Sequence, residues 1–147
     1  PLIKSFQDNN KLSIEIIFSK VMENSPFKTP PPTNLPILRR LIISYKLWHE
    51  FLPNFPRTVR VTVGEKIDLL FLKIINLVFN ASLSQKSDKL VVLKKTSLYL
   101  DNLKFLFQLI WEMKVLDDKK YIRISEHLTD ISKMLGGWIR QQKENSA

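Results

Sequence analysis

Residues 94–111 read KKTSLYLDNLKFLFQLIW, and this stretch decides the fold class. One set of polar residues recurs in steps of three and four: Lys94, Ser97, Asp101, Lys104 and Gln108. This is the spacing of one face of an α-helix. Leucine and aromatic residues occupy nearly all the other positions. The stretch predicts a long helix, from about residue 88 to residue 115, that is apolar everywhere except along one narrow polar face.

The helix that precedes this stretch is predicted from a second apolar periodicity and a capping pattern. Residues 62–65, Thr-Val-Gly-Glu, have the form of a capping box, in which a Thr hydroxyl and a Glu carboxylate satisfy free amide groups at a helix start. The apolar positions that follow are spaced as on one helix face. Residues 80–87 are mostly polar and predict a turn before the long helix.

A first and a fourth helix complete the set. The first is expected to start near Asn34, with Pro36 in the first turn, where a missing N–H group is tolerated, and to be ended by Pro53 and Pro56. Asp117 and Asp118 offer an N-cap for the fourth helix, whose tail is expected to fray from Lys143. Four helices with short links predict an all-α, up-and-down antiparallel four-helix bundle.

Proline clustering predicts the domain organisation. Five of the eight prolines lie between Pro26 and Pro36, and the run at residues 30–32 favours extended backbone. Residues 1–34 are predicted to form an N-terminal arm and a proline-rich linker, and residues 35–147 the bundle domain. Within the arm, the apolar residues between Leu12 and Met22 are compatible with a short helix or with a strand.

The helices carry more apolar residues than one bundle interior covers. Extra rows are Ile43, Leu47 and Phe51 on the first helix and Leu69, Leu72 and Phe79 on the second. They predict an oligomer or a large protein interface, and the alternative is a thick core covered by the arm.

Two glycines stand inside the fourth helix. Gly136 and Gly137 each cost about 1 kcal/mol relative to Ala in a helix. Their presence predicts that another backbone or a large ring approaches there, with Trp138 turned into the core.

Composition and the lack of known motifs limit the kinds of protein that this chain can be. There is no cysteine, no long uncharged apolar window and no signal-peptide core, which predicts a cytoplasmic protein without disulfides or a membrane span. His49 and His127 each adjoin a glutamate and stand in no metal-binding or catalytic motif. We therefore expect both histidines at the surface, and we expect no enzymatic activity, no metal and no cofactor.

The charge is strongly positive. The formal net charge is +9 and the pI is about 9.8. Residues 1–34 contain four lysines and three acids, for +1, and residues 35–147 contain nineteen basic and eleven acidic residues, for +8. Such an excess is typical either of a protein that binds polyanions or of a solvated basic surface.

Basic residues of the predicted helices are the candidate nucleic-acid contacts. The candidates are Arg39, Arg40, Lys46, Arg57, Arg60, Lys66, Lys73, Lys94, Lys95, Lys104 and Arg140. No RNA-recognition or homeodomain motif occurs, so contacts to phosphates rather than bases are expected. Some basic residues are expected to pair internally, as Asp101 with Lys104 at a spacing of three.

Two segments carry a resemblance to a known family. One is Phe55-Pro56-Arg57 followed by residues 62–67, TVGEKI; the other is residues 131–140, ISKMLGGWIR. Together they resemble the four-helix-bundle family of the accessory variability determinant proteins of diversity-generating retroelements and the related ribosomal-RNA intervening-sequence proteins. The resemblance covers about residues 37–142.

The resemblance implies an assembly and a role. It implies a homopentameric barrel with a basic surface, binding to the element's reverse transcriptase and its template RNA or cDNA, and support of mutagenic retrohoming. The intervening-sequence branch would keep the fold, as a structural or RNA-associated oligomer, and remove the reverse transcriptase.

Overall fold

A computed structural model of the chain describes residues 35–84 and 86–145, together with Ile16, Ile17 and Lys20. These three residues are helical, in agreement with the helix alternative for the arm. The rest of the predicted arm and linker, and the predicted helix start at Asn34, lie outside the described residues.

The described chain contains four long helices and no strand. They are α1 (Pro36–Phe51), α2 (Glu65–Leu83), α3 (Lys86–Glu112) and α4 (Asp118–Asn145). The prediction of four helices is therefore confirmed. The turn between α2 and α3 is shorter than predicted, and α4 continues past Lys143, where fraying was expected. None of the described helices has an apolar stretch of the length needed to cross a membrane.

The helices pack in the order of the chain. Each of α1 and α3 packs against both α2 and α4. The contacts between α1 and α4 show that the two helices run in opposite directions. Lys120, near the start of α4, lies over the ring of Phe51 at the end of α1, whereas Asp130, farther along α4, lies close to Arg40 near the start of α1. Neighbouring helices are thus antiparallel, as expected for up-and-down connections.

Aromatic side chains fill the centre of the bundle. Trp48 of α1 is fully buried and lies edge-on to Phe107 of α3, with ring centroids 5.4 Å apart. Phe107 meets Phe71 of α2 at 5.9 Å, and Phe55 meets Trp48 at 5.6 Å. Each side chain of this size contributes about 1.5–3 kcal/mol by its burial. The contacts join three helices and the α1–α2 connection in one core.

The start of α2 differs from the prediction. A 3-10 turn, Leu52–Asn54, follows α1, and the chain is already helical at Arg57 and passes through a π-turn, Arg60–Gly64, into α2. The Thr62 hydroxyl therefore donates to the Thr58 carbonyl oxygen at 2.6 Å and caps nothing. The predicted capping box is wrong, because the amide groups it would satisfy are already bonded within the helix.

The link between α3 and α4 is closed at both ends by hydrogen bonds. Lys114 has a φ of 60°, and the amides of Lys114 and Val115 donate to the carbonyl oxygens of Trp111 and Ile110, which is a Schellman motif. Asp117 then accepts a hydrogen bond of 2.8 Å from the Lys120 amide. The predicted aspartate N-cap of the fourth helix is thus confirmed.

The surplus apolar residues separate into two groups. Leu47 and Phe51, predicted to lie outside the core, are 4% exposed and belong to it. Ile43, Leu69 and Leu72 are exposed, and α3 carries an outer apolar row of residues exposed to solvent: Val91, Leu98, Phe105 and Leu109. Val91, Leu98 and Phe105 are spaced by seven residues and are 60–69% exposed. They lie on the face of α3 opposite the buried Leu100 and Phe107.

Among the residues that the structure describes, the two glycines of α4 have no close neighbour. A Cβ atom built on Gly136 would meet nothing within 4 Å, and one on Gly137 would meet only the Arg140 guanidinium at 4.0 Å. No backbone or ring among the described residues approaches them, so the prediction is wrong within the single chain; approach by another chain stays a prediction. Trp138 is half-buried against the core, as predicted.

Candidate nucleic-acid interface

The predicted basic residues lie on every helix of the bundle. Nine of the eleven are exposed: Arg39, Lys46, Arg57, Arg60, Lys66, Lys73, Lys94, Lys95 and Arg140. Arg40 and Lys104 are half-buried. Arg57 and Arg60 stand on the helical turns before α2, where chain direction changes. The set is therefore accessible to a polyanion but does not form one compact patch.

Ion pairing within the described residues is sparse. The contacts between basic and acidic groups within 4.0 Å are Arg40–Asp130, His49–Asp68 and Lys120–Asp117. The predicted pair of Asp101 with Lys104 does not form, as is common for surface pairs whose attraction is offset by side-chain entropy. Of the eleven candidates, Arg40 has a carboxylate partner in the described chain and the other ten do not. Their charge is available to an external anion.

Arg40 joins two helices instead. One guanidinium nitrogen lies 3.3 Å from Nδ1 of His127, and the other lies 3.7 Å from the Asp130 carboxylate, both on α4. Burial lowers the pKa of His127, and the charges of Arg40 and Arg123 lower it further. We assign Arg40 to α1–α4 packing rather than to the interface.

A second polar contact joins α1 to α2. Nε2 of His49 lies 2.7 Å from Asp68, and the Tyr45 hydroxyl donates to the same carboxylate at 3.3 Å. Burial, together with the Asp68 charge, raises the pKa of Tyr45. In the described part of the chain, no group of three or more histidine and acidic side chains is placed to hold a metal ion.

One of the candidates, Lys73 of α2, meets Tyr99 of α3. Nζ of Lys73 lies 4.4 Å from the centroid of the Tyr99 ring. The Lys73 ammonium beside it lowers the pKa of the Tyr99 hydroxyl, the charge of Lys95 acts in the same direction, and burial opposes both. Lys66 and Lys73 also line one open depression of about 360 Å³, together with Leu69 and Leu70. Lys66, Lys73 and Lys95 are thereby grouped along one seam.

Sequence reasoning missed Tyr99. Its position in the apolar part of α3 suggested only packing, and its proximity to Lys73 depends on the register of two helices. Periodicity within each helix does not specify that register.

Comparison with known proteins places the chain in a family. The profile of the bAvd-like family matches residues 37–142, which is more than half of the chain and extends from α1 nearly to the end of α4. The chain belongs to the bAvd-like family. This confirms the resemblance to accessory variability determinant proteins. Searches of curated proteins and of solved structures returned no match.

Both segments that carry the resemblance lie inside the matched range. In this bAvd-like chain, residues 62–67 form the end of the π-turn and the start of α2, and residues 131–140 lie in α4. The bAvd-like family is one of accessory, non-catalytic proteins. Its function therefore depends on what its surfaces bind.

Proposed function

We propose that this chain is a non-enzymatic accessory protein of a diversity-generating retroelement that acts in the cytoplasm. In this proposal it binds the element's reverse transcriptase and the template RNA or cDNA, and supports mutagenic retrohoming. The observation that carries the proposal is the bAvd-like match over residues 37–142.

Charge supports the nucleic-acid part of the proposal. The chain has a net charge of +9, and ten of the eleven predicted contact residues have no carboxylate partner among the described residues. Binding of such groups to phosphates releases counterions, so affinity falls as salt rises. Contacts of this kind bind many sequences with similar affinity, which suits a protein that accompanies a template rather than selecting it.

The outer row of α3 supports the protein part of the proposal. Each of its large apolar side chains would gain about 1.5–3 kcal/mol from complete burial. Exposed apolar rows of this length are typical of protein interfaces. We propose that other copies of the chain cover this row in a homopentameric barrel and that the reverse transcriptase binds the assembly.

Co-purification tests the binding proposal. The tagged full chain is expressed with the reverse transcriptase and template RNA of its own element, and both are expected to co-purify at about 50 mM salt and to be lost progressively toward 200 mM. Absence of RNA at low salt, with and without the polymerase, would contradict the proposal. Recovery of RNA and an oligomer without the polymerase would instead favour the intervening-sequence alternative.

Light scattering tests the assembly. The wild-type chain is expected to have the mass of five chains, and Leu98→Ser with Phe105→Ser is expected to reduce that mass. Val61→Ser with Ile122→Ser is the matched control, because these residues are 56% and 57% exposed and belong to the π-turn and to α4 rather than to α3. A monomeric wild type would refute the assembly, and equal loss of mass in both double variants would refute the role of the α3 row.

A further inference from the structure

We propose that Lys66, Lys73, Lys95 and the hydroxyl of Tyr99 form one binding row for the phosphates of a single-stranded nucleic acid along the α2–α3 seam. The inference rests on the proposed function and gives it a location. We call these four residues the seam row.

The seam row is linear because the helices are antiparallel. With a rise of 1.5 Å per residue, Lys66 lies about 10.5 Å along α2 from Lys73, and Lys95 lies about 6 Å along α3 from Tyr99. Lys73 and Tyr99 are in contact, so Lys66 and Lys95 lie on opposite sides of that contact. The cations therefore span roughly 16 Å in one line, a spacing suited to a strand rather than to one small anion.

Charge along the row is unbalanced. Lys66, Lys73 and Lys95 have no carboxylate within 4.0 Å among the described residues. Glu65 is the acidic residue that lines the depression beside Lys66 and Lys73. Three positive charges against one negative charge favour a polyanion.

Tyr99 contributes its hydroxyl rather than its ring face. The Lys73 ammonium lies over the ring and occupies the position that a stacked base would need. A phenol O–H group can donate its proton to a phosphate oxygen, and the Lys73 ammonium beside the ring adds a positive charge at the same place.

Exposed leucine beside the cations favours a single strand over a duplex. Leu69 is 59% exposed in the depression between Lys66 and Lys73, and Leu70 lies next to it. A single strand has unpaired bases that can cover apolar surface while its phosphates meet the lysines, whereas a duplex stacks its bases internally.

The test measures how binding depends on salt. A labelled RNA single strand of about 20 nucleotides is titrated with the full chain between about 50 and 200 mM salt. Lys66→Gln, Lys73→Gln and Lys95→Gln are combined in one variant. The control combines Lys119→Gln, Lys133→Gln and Lys143→Gln, which remove the same charge from exposed positions of α4. Folding is checked by circular dichroism.

The seam variant is expected to lose about 2 from the slope of log affinity against log salt, because each phosphate contact on a single strand contributes about 0.7. The control variant is expected to keep a slope close to that of the wild type. Tyr99→Phe is expected to weaken binding roughly tenfold without changing the thermal midpoint.

Four results would overturn the inference, and they are distinguishable. If the wild type and the seam variant had equal slopes of log affinity against log salt, the seam row would not be the binding site, and the proposed function would be unaffected. Equal affinity for a matched duplex would remove the single-strand assignment. Lysine-dependent binding of polyglutamate without binding of RNA would assign the row to an acidic protein segment. No binding of RNA by the wild type, alone or with the polymerase, would refute the proposed function as well.

Discussion

Nε1 of Trp111, near the end of α3, donates a hydrogen bond of 2.7 Å to Oδ1 of Asp118, the first residue of α4. The Trp111 ring also stacks on Tyr121, with centroids 4.7 Å apart and planes inclined by 10°. Together with the Asp117 cap, these contacts join the two helix ends across a short link. The direction of α4 relative to α3 is therefore determined locally.

Replacing the N-cap should weaken this junction. Asp117→Ala leaves the Lys120 amide without its acceptor and is expected to lower the free energy of unfolding by about 1 kcal/mol. Asp101→Ala, in the exposed middle of α3, is the control and should change stability little. Urea denaturation of both variants measures the difference. Equal stability of the two would show that the Asp117 cap contributes nothing.

Lys114 is a site where glycine should stabilise the protein. Its φ of 60° is unfavourable for a residue with a Cβ atom, and it occupies the Schellman position where glycine is preferred. Lys114→Gly is expected to raise the free energy of unfolding by about 0.5–1 kcal/mol, after allowance for the greater freedom of glycine in the unfolded chain. Lys114→Ala is the control and should give no gain. A glycine variant no more stable than the alanine variant in thermal unfolding would refute this.

Replacing Gly64 and Gly136 with alanine should change the stability of the fold in opposite directions. A Cβ atom at Gly64 would lie 3.0 Å from the Val59 carbonyl oxygen and 3.3 Å from Leu52, so Gly64→Ala should destabilise the fold by about 1–3 kcal/mol. Gly136→Ala has open space and should stabilise the single chain by up to about 1 kcal/mol. Chemical denaturation at low protein concentration measures both, and a shared sign would contradict the prediction.

Stability should fall in mild acid because of His127. Its pKa lies below the usual 6.5, through burial and through Arg40 and Arg123, with Asp130 and Glu126 partly opposing. The unfolded chain therefore binds the proton first, and stability is lost as pH falls below about 6.5. The wild type should lose more stability than His127→Gln between about pH 7.5 and 5.5. Urea denaturation at each pH gives the free energy of unfolding of both proteins, and groups that titrate in both cancel in the difference. Parallel pH profiles of the two proteins would show that His127 does not cause the loss.

Regular features of the bundle were predictable from single helices. The proline at the start of α1 and the Asp117 cap follow from local rules that tertiary contacts leave unchanged. Leu47 and Phe51 were misassigned because periodicity shows an apolar row but not how wide the buried face is.

Features that depend on contacts between segments were not predictable. Residues 62–65 match a capping box, yet Gly64 serves the close approach of the Val59 carbonyl in a π-turn. Lys114 adopts the left-handed conformation, and because it is not a glycine the sequence does not indicate this. For the candidate interface, the basic residues were predictable as a set, whereas the pairing of Arg40 with α4 and the meeting of Lys73 with Tyr99 depend on helix register.

The outer row of α3 has a consequence for how the chain reaches its native state. Since Val91, Leu98 and Phe105 form an apolar row on the face of α3 opposite the core, we expect a compact state with α3 rotated by half a turn to compete with the native packing. The close fit of the core side chains favours the native packing over the rotated state. This fit forms only late in folding, when the side chains interlock. We therefore expect a newly made chain to be exposed to misdocking and aggregation until other copies of the chain cover that face.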